Sequence, residues 1–282
     1  MTRFKSLAWA AAACTYLLIV LGAVVRISHS GMGCGDHWPL CNGRLFPSLS
    51  DIGTLIEWSH RLLASVVSIL VVALAVYAWR LRVATRAPYV AVALLITQVI
   101  LGAITVKTGL TAAIVVLHLA NSMALLYALL VATTDSVQRP SPRSRLLIIL
   151  SFVTVLFGGL VANLGAAAAC GGFPLCSGQI WITAGPLAWI QWIHRLLAYS
   201  LAVVVTVWAV RAPGRGPNVI VGLVLLQISI GAAIVLLGLP RGLQAAHVAV
   251  GAAVWAGVVL AALQTSSAPG AGAPGAPSSE LQ

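Results

Sequence analysis

The chain has 282 residues, of which 60% are hydrophobic and only 7% are charged. Its mean hydropathy of +1.03 lies far outside the range of ordinary soluble domains, so the composition indicates a multi-pass membrane protein. The formal net charge of +11 could indicate a nucleic-acid partner, but the arginines are dispersed over short segments instead of clustered on one basic face. The sequence therefore predicts no nucleic-acid partner.

Eight apolar stretches are long enough to cross a membrane as helices, which requires about 20 mostly apolar residues. In chain order they cover about residues 7–25, 55–79, 88–107, 111–133, 146–163, 186–210, 217–237 and 243–263. The first stretch follows Arg3 and Lys5 as a signal peptide would, but it runs on to Val25 without a clear small-residue cleavage site. We expect it to be retained as the first helix.

The basic residues predict the orientation of these helices, because Lys and Arg in short loops favour the cytoplasmic side. If eight helices alternate in direction, ten of the sixteen Lys and Arg fall on one side: Arg3, Lys5, Arg80, Arg82, Arg86, Arg139, Arg143, Arg145, Arg211 and Arg215. Both termini are therefore predicted in the cytoplasm, and the loops with paired cysteines on the outer side of the cell membrane. Residues 265–282 are so rich in Pro, Gly, Ala and Ser that we expect a disordered cytoplasmic tail.

The two halves of the chain repeat one pattern of polar residues, with offsets of 129 to 136 positions. The matched pairs are Cys34 with Cys170, Cys41 with Cys176, His60 with His194, Gln98 with Gln227, and His118 with His247. Since each repeat contains four spans, both copies have the same orientation in the membrane, related by an axis along its normal. The predicted fold is an all-α integral membrane protein with eight transmembrane helices in two tandem pseudo-symmetric four-helix bundles, residues 1–135 and 136–264.

Each half has a loop with two cysteines, GMGCGDHWPLCNG at residues 31–43 (the first cysteine loop) and AACGGFPLCSG at residues 168–178 (the second cysteine loop). On the outer side of a membrane we expect disulfides, and a zinc site is the alternative because His29 and His37 lie near the first pair. A bridge that only staples its loop is the commoner role, while a redox role remains an alternative for the first pair. Cys14 is interpreted as a small buried apolar residue.

Two histidines in each half lie inside apolar stretches, where an unpaired ionisable group is costly. His60, His118, His194 and His247 all fall within roughly two turns of the same membrane surface. Two imidazoles at equal depth on facing helices are what a six-coordinate haem requires, one on each side of the iron. The alternatives are core histidines bonded to backbone carbonyls, or a zinc or copper site, which would usually need a third ligand. The repetition favours haem.

Arg61 and Arg195 directly follow the first histidine of each half. A guanidinium near the membrane surface can bind a haem propionate through two hydrogen bonds. It can equally extend its charged head to the interface without binding anything. The sequence leaves both roles open. Gln98 and Gln227 are expected to join helices through hydrogen bonds.

An acid occurs in one half only. Glu57 precedes His60 by three positions, so the two side chains lie on the same face of a helix. The second half has Gln191 at the equivalent place, which can form hydrogen bonds but cannot exchange a proton near neutral pH. This difference predicts one haem site that carries electrons and one at which a proton-coupled reaction occurs. The alternative is that Glu57 is merely solvated at the aqueous boundary.

Four segments together resemble the haem A synthase family: VVRISHSGMGCGDHWPLCNG at residues 24–43, IEWSHRLLAS at 56–65, QVILGAITVKTGL at 98–110 followed by His118, and QAAHVAVG at 244–251. The resemblance extends from Arg3 to about Ala262. It implies an enzyme, an oxidoreductase that oxidises a porphyrin methyl group of haem O to a formyl group and so supplies haem A for terminal oxidases.

The resemblance also implies which residues act in each half. His60 and His118 would ligate the substrate iron beside Glu57 as the acidic catalytic group, while His194 and His247 would ligate a haem b cofactor. The loop cysteines would form two disulfides, with Cys34–Cys41 associated with activity and Cys170–Cys176 as the second. The implied partners are an electron donor, either quinol or another redox partner, and haem O synthase or oxidase assembly proteins.

One departure limits the comparison of the two loops. The second cysteine loop is one residue shorter between its cysteines and lacks counterparts of Asp36 and Trp38. We therefore do not extend a redox role to it.

Two other functions fit part of the pattern. A bis-histidine membrane cytochrome b for quinol-linked electron transfer would use two haem sites, but it would not require an acid in only one of them. A haem transporter could use histidines near one surface, but it would need a route across the membrane.

Overall fold

The computed structural model describes residues 2–48, 50–134, 141–212 and 214–265. Within these residues the chain forms eight α-helices: α1 Thr2–Ile27, α2 Ile52–Arg80, α3 Ala87–Lys107, α4 Ala112–Ala132, α5 Pro142–Asn163, α6 Pro186–Arg211, α7 Arg215–Leu236 and α8 Arg241–Thr265. All eight are long and apolar enough to span a membrane, so the predicted all-α membrane fold is confirmed. Arg139 and residues 266–282 of the predicted tail lie outside the described residues.

Capping groups in the sequence decide where two of the helices begin. Asp51 caps α2, because its Oδ2 accepts a hydrogen bond from the Thr54 backbone N–H at 2.6 Å. This bond lowers the pKa of the Asp51 carboxyl below its ordinary value. Ser141 caps α5 by accepting from the Ser144 backbone N–H at 3.2 Å, with Pro142 in the first turn. The Asp51 cap explains why α2 begins at residue 52, slightly before the predicted start at 55.

In each half the four helices pack in a ring. In the first half, α1 packs on α2 and α4, and α3 packs on the same two helices; α5 to α8 repeat this arrangement. Consequently α2 lies diagonally opposite α4, and α6 lies diagonally opposite α8. These are the two tandem four-helix bundles that the repeat predicts. Their separate functions stay a prediction, and the predicted boundary at residues 135 and 136 lies outside the described residues.

The two bundles are joined through α1 and α4 of the first and α5 and α8 of the second. α1 packs on α8 as α5 packs on α4, and α4 contacts α8, as expected for a two-fold axis between the halves. Hydrogen bonds cross this contact from Tyr16 Oη to the Ala249 carbonyl at 3.0 Å and from Arg26 to the Ala162 carbonyl at 3.1 Å. Polar groups on α1 therefore bind it to α5 and α8 of the other bundle.

Small side chains allow the helices to approach closely. Ala8, Ala11 and Ala12 on α1 are at most 2% exposed. Because lipid is as apolar as the side chains, helices in a membrane are held together by close packing and hydrogen bonds more than by the hydrophobic effect. Large apolar residues on the outside, such as Ile69 and Val203, are 69% and 62% exposed. They form the surface that faces lipid.

Candidate functional site

The four intramembrane histidines occupy equivalent places in the two bundles. His60 lies on α2 and His118 on α4, while His194 lies on α6 and His247 on α8. Each is about two turns from the start of its helix, and these four alternate helices all start at the end of the molecule where the cysteine loops lie. Since the two helices of each pair are diagonally opposite, each half places one histidine pair across its bundle.

A glycine on a neighbouring helix lies against each histidine ring. A Cβ added at these glycines would come within 3.1 to 3.4 Å of ring atoms, so a larger side chain would displace the ring. The contacts are Gly22 with His60, Gly102 with His118, Gly158 with His194, and Gly231 with His247. The glycines repeat at offsets of 136 and 129, within the range of the other matched pairs. Both bundles therefore position their histidines in the same way.

The histidine pair of the second half has the spacing that a haem needs. The ring centroids of His194 and His247 are 6.5 Å apart, and the ring planes are inclined by 74°. The Nδ1 atoms of both rings are buried without a hydrogen-bond partner among the described residues. Two metal–imidazole bonds of about 2 Å each, together with the two ring radii, span roughly this distance. The pair therefore fits a haem iron between the rings.

A third metal ligand, as a zinc or copper site would need, is not found among the described residues. The described part of the chain has no group of three or more His, Cys, Asp or Glu side chains that could hold a metal ion. A planar ring whose iron needs only two protein ligands suits the observed donors better than a four-coordinate zinc.

The first half adds a polar chain beside one of its histidines. Asn121 Nδ2 lies 2.7 Å from Gln98 Oε1, and Gln98 Nε2 lies 3.0 Å from His118 Nε2. The Nδ1 atom of His118 is buried without a partner among the described residues. Gln98 thus joins α3 to α4 by hydrogen bonds, as the sequence predicts, and it does so at a candidate iron ligand.

Both predicted disulfides are present in the structure, Cys34–Cys41 and Cys170–Cys176. The zinc alternative for the first cysteine loop is wrong, because its two thiols are bonded to each other. Cys14 is half-buried instead of fully buried as predicted.

Glu57 links α2 to the first cysteine loop. Its side chain is buried, with 4% of the residue exposed, and both oxygens have partners. Oε2 accepts from the Cys34 backbone N–H at 2.8 Å, and Oε1 lies 2.6 Å from Arg61 Nη2. Arg61 Nη1 in turn donates to the carbonyls of His37 at 2.8 Å and Leu40 at 2.6 Å. The solvated acid considered as the alternative is therefore wrong.

Arg195 holds the second cysteine loop without an acid. It is 6% exposed and donates to the carbonyls of Cys170 at 2.8 Å, Gly172 at 2.9 Å and Leu175 at 2.8 Å. Gln191 is 5% exposed, and its Oε1 is buried without a hydrogen-bond partner in the part of the chain described. Gln191 therefore keeps the place of Glu57 but not its contacts.

The structure gives Arg61 and Arg195 a role that the sequence does not predict, because both guanidinium groups bind loop carbonyls. Propionate binding by either arginine stays a prediction. Asn121 is also missed by sequence reasoning, although its absence from the second half is visible once the repeat is aligned. The four glycines carry a signal too, since each recurs at a repeat offset.

Comparison with known proteins identifies the family. A family model described as cytochrome oxidase assembly protein, COX15-CtaA, matches residues 5–259. Heme A synthase from Bacillus licheniformis is 33% identical over 258 residues, which cover 82% of this chain and 85% of the relative. Heme A synthase from Halalkalibacterium halodurans is 33% identical over 250 residues, which cover 79% and 83%. For Heme A synthase from Bacillus pumilus, the identity is 36% over 210 residues, 66% and 68% of the two chains. This chain therefore belongs to the COX15-CtaA family of cytochrome oxidase assembly proteins.

Proposed function

We propose that this protein is a haem A synthase, an oxidoreductase that converts haem O into haem A. The family match and the relatives of that name support the proposal. One observation of the site carries it: two equivalent histidine pairs are present, and only one has a buried acid one turn away. If both haems only transferred electrons, an acid beside one of them would not be required. If a reaction took place at one haem and electron transfer at the other, only the reacting haem would require the acid.

The two histidine pairs divide the work between the halves. His60 and His118 hold the iron of the substrate haem O, and His194 and His247 hold haem b as the resident cofactor. The 6.5 Å spacing of the second pair supports this assignment. Haem b, when bound, supplies one-electron transfer.

The reaction oxidises a methyl group on the porphyrin edge. Two hydroxylations, each with O2 as the oxidant and two electrons from the donor, would give a geminal diol, the second oxygen atom of each O2 leaving as water; loss of one further water then leaves the formyl group of haem A. By fixing the substrate through its iron, His60 and His118 hold the reacting edge at a constant place relative to the groups on α1 to α4. Gly22 and Gly102 hold the two imidazoles by packing against them.

Glu57 provides a fixed negative charge near the substrate. It lies one turn before His60 on the same face of α2, and bonds to Cys34 and Arg61 hold its two oxygens. A proton taken up by Glu57 would remove the charge to which Cys34 and Arg61 donate and so weaken both bonds, whereas stabilisation of positive charge that develops on the substrate requires no such change. The geometry therefore favours the electrostatic role, with Arg61 as a positioning residue.

The cysteine loops face the outer side of the cell membrane, and both termini face the cytoplasm. The distribution of basic residues supports this orientation. Because the histidines lie near the cysteine-loop end, a quinol or another electron donor reaches the site from that side. Haem O synthase and the oxidase assembly machinery are the partners that deliver the substrate and receive the product.

Pigment analysis tests the proposed function. The full chain is expressed in cells that make haem O but have no haem A synthase of their own, and the haems of the membranes are extracted. Haem A is the expected product, and its absence would favour a cytochrome b or a haem transporter. Purified His194→Ala and His247→Ala proteins should lack the absorption bands of haem b, whereas His60→Ala should keep them. Equal loss in all three variants would contradict the division between the halves.

A further inference from the structure

A chain of three polar side chains fixes which atom of Gln98 faces His118. The Leu94 carbonyl can only accept a hydrogen bond, so the amide nitrogen of Asn121, which lies 2.9 Å away, is its donor. The same nitrogen lies 2.7 Å from Gln98 Oε1 and donates to it. Gln98 must therefore turn its Nε2 toward His118, at 3.0 Å from His118 Nε2. Because an amide nitrogen only donates, His118 Nε2 is the acceptor.

The second half keeps the glutamine but lacks the residue that orients it. The position equivalent to Asn121, 129 residues later, is Val250. The Oε1 atom of Gln227 is buried without a partner among the described residues. Its Nε2 lies 3.0 Å from the place that a Cβ on Gly251 would take, so the amide packs on the backbone of α8. The oriented donor is therefore a property of the first half.

A hydrogen bond and an iron bond at His118 Nε2 exclude each other. The nitrogen has one lone pair, which either accepts the N–H of Gln98 or binds iron. We propose that iron binds His118 through Nε2, and that Asn121 is a positioning residue that, through Gln98, keeps a competing donor at this atom and so makes iron binding in the first site reversible. This inference rests on the proposed function, in which the first site exchanges its haem.

The two sites differ in how readily they must release their haem. A substrate site must bind haem O and release haem A in every cycle, so an iron bond that is too strong would slow product release. A resident cofactor must stay bound through many cycles. When iron replaces the hydrogen bond, the Gln98 N–H loses its partner, and that loss lowers the net strength of iron binding. Without Asn121, the amide can turn away, and the competition ends.

The test measures haem release from each site in the purified full chain. Protein in detergent, with haem b and the haem O or haem A that co-purifies, is mixed with an excess of apomyoglobin as the acceptor. Chromatography of the transferred haems separates release from the two sites. Asn121→Val gives the first half the residue of the second and should slow release of haem O and haem A between about twofold and about tenfold, with haem b release unchanged. Val250→Asn is the matched control and should leave release from the first site unchanged.

The direction of the effect separates this role from simple packing. If Asn121 only held α3 against α4, its loss would loosen the site and speed release; faster or unchanged release would therefore overturn the proposal. If Asn121→Val purifies without haem b and is thus misfolded, Gln98→Met removes the same donor and should slow release in the same way. Haem A formed in the same cells tests the proposed function separately. If the cells that express the wild-type chain form haem A but Asn121→Val releases its haems at the wild-type rate, only the role of Asn121 is refuted. If the cells that express the wild-type chain form no haem A, the proposed function is refuted.

Discussion

Replacing Glu57 with Gln keeps the size of the side chain but removes one of its two oxygen acceptors, each of which binds a different donor. Cys34 N–H donates to Oε2 at 2.8 Å and Arg61 Nη2 donates to Oε1 at 2.6 Å. A glutamine has one oxygen and one NH₂ group, so one of these donors would face another donor. Loss of a hydrogen bond to a charged group costs about 1.5 to 3 kcal/mol when the site is buried. The population of molecules in which the first cysteine loop has detached from residue 57 should therefore rise by a factor of about ten to about one hundred.

Hydrogen exchange of the first cysteine loop measures this opening directly. In Glu57→Gln we expect the amide of Cys34 to exchange at least about tenfold faster than in the wild type. The second cysteine loop, which Arg195 holds, should exchange at the wild-type rate and is the internal control. Haem A formation should fall in the same variant, because the fixed negative charge is gone.

A matched variant moves the acid to the other half. Glu57→Gln combined with Gln191→Glu restores the number of acids and places one a turn before His194. It should form no more haem A than Glu57→Gln alone, because the reaction is proposed to take place in the first half. Conversion of haem O at the wild-type rate by the single variant, or recovery of haem A in the double variant, would refute the reasoning.

Three further predictions follow from the geometry. Gly231→Ala places a Cβ 3.1 Å from His247 Cε1 and should lower the haem b content of the purified protein severalfold, whereas Gly222→Ala meets nothing within 4 Å and should not. Arg195→Met removes three hydrogen bonds to the second cysteine loop and should speed hydrogen exchange there by about tenfold, with no change in the first loop. Because the pKa of Asp51 is lowered in the folded protein, its cap stabilises α2 above about pH 4 and is lost as the pH falls further. Exchange in the first turn of α2, corrected for intrinsic rates, should rise in acid for the wild type and stay constant for Asp51→Asn.

All eight spans could be predicted from apolar runs, because a bilayer sets the length of every helix that crosses it. The observed helices differ from the predicted stretches at their first and last residues. α1 begins at Thr2 instead of about residue 7, since Arg3 and Lys5 can stay helical while their charged heads extend to the interface. The two four-helix bundles also follow from the sequence, because each repeat contains four spans, whereas the contacts of α1 with α4 and of α5 with α8 that close the rings appear only in the structure.

The histidine pairs were visible because duplication repeats them, whereas the contacts of Glu57 and Arg61 were not. The partners of these two side chains are backbone N–H and carbonyl groups of the first cysteine loop. Every residue carries a backbone carbonyl and every residue except proline a backbone N–H, so residue types and spacing do not indicate which of these groups a side chain will reach. The path of the loop decides the contacts, and only the three-dimensional structure shows that path.

The two halves share the histidines and glycines of the proposed haem sites and differ in the residues beside the histidines. Each proposed iron ligand of the first half has a neighbouring side chain that the second half does not repeat: Glu57 on α2, where the second half has the uncharged Gln191, and Asn121 on α4, where it has Val250. These two positions lie on diagonally opposite helices, so each can change without altering the packing of the other. They also serve different needs, since a charge beside the ring acts on the reaction and a competing donor acts on exchange of the haem. In the proposed function a resident cofactor needs neither, so one helical scaffold can serve as a catalytic site in the first half and as a cofactor site in the second.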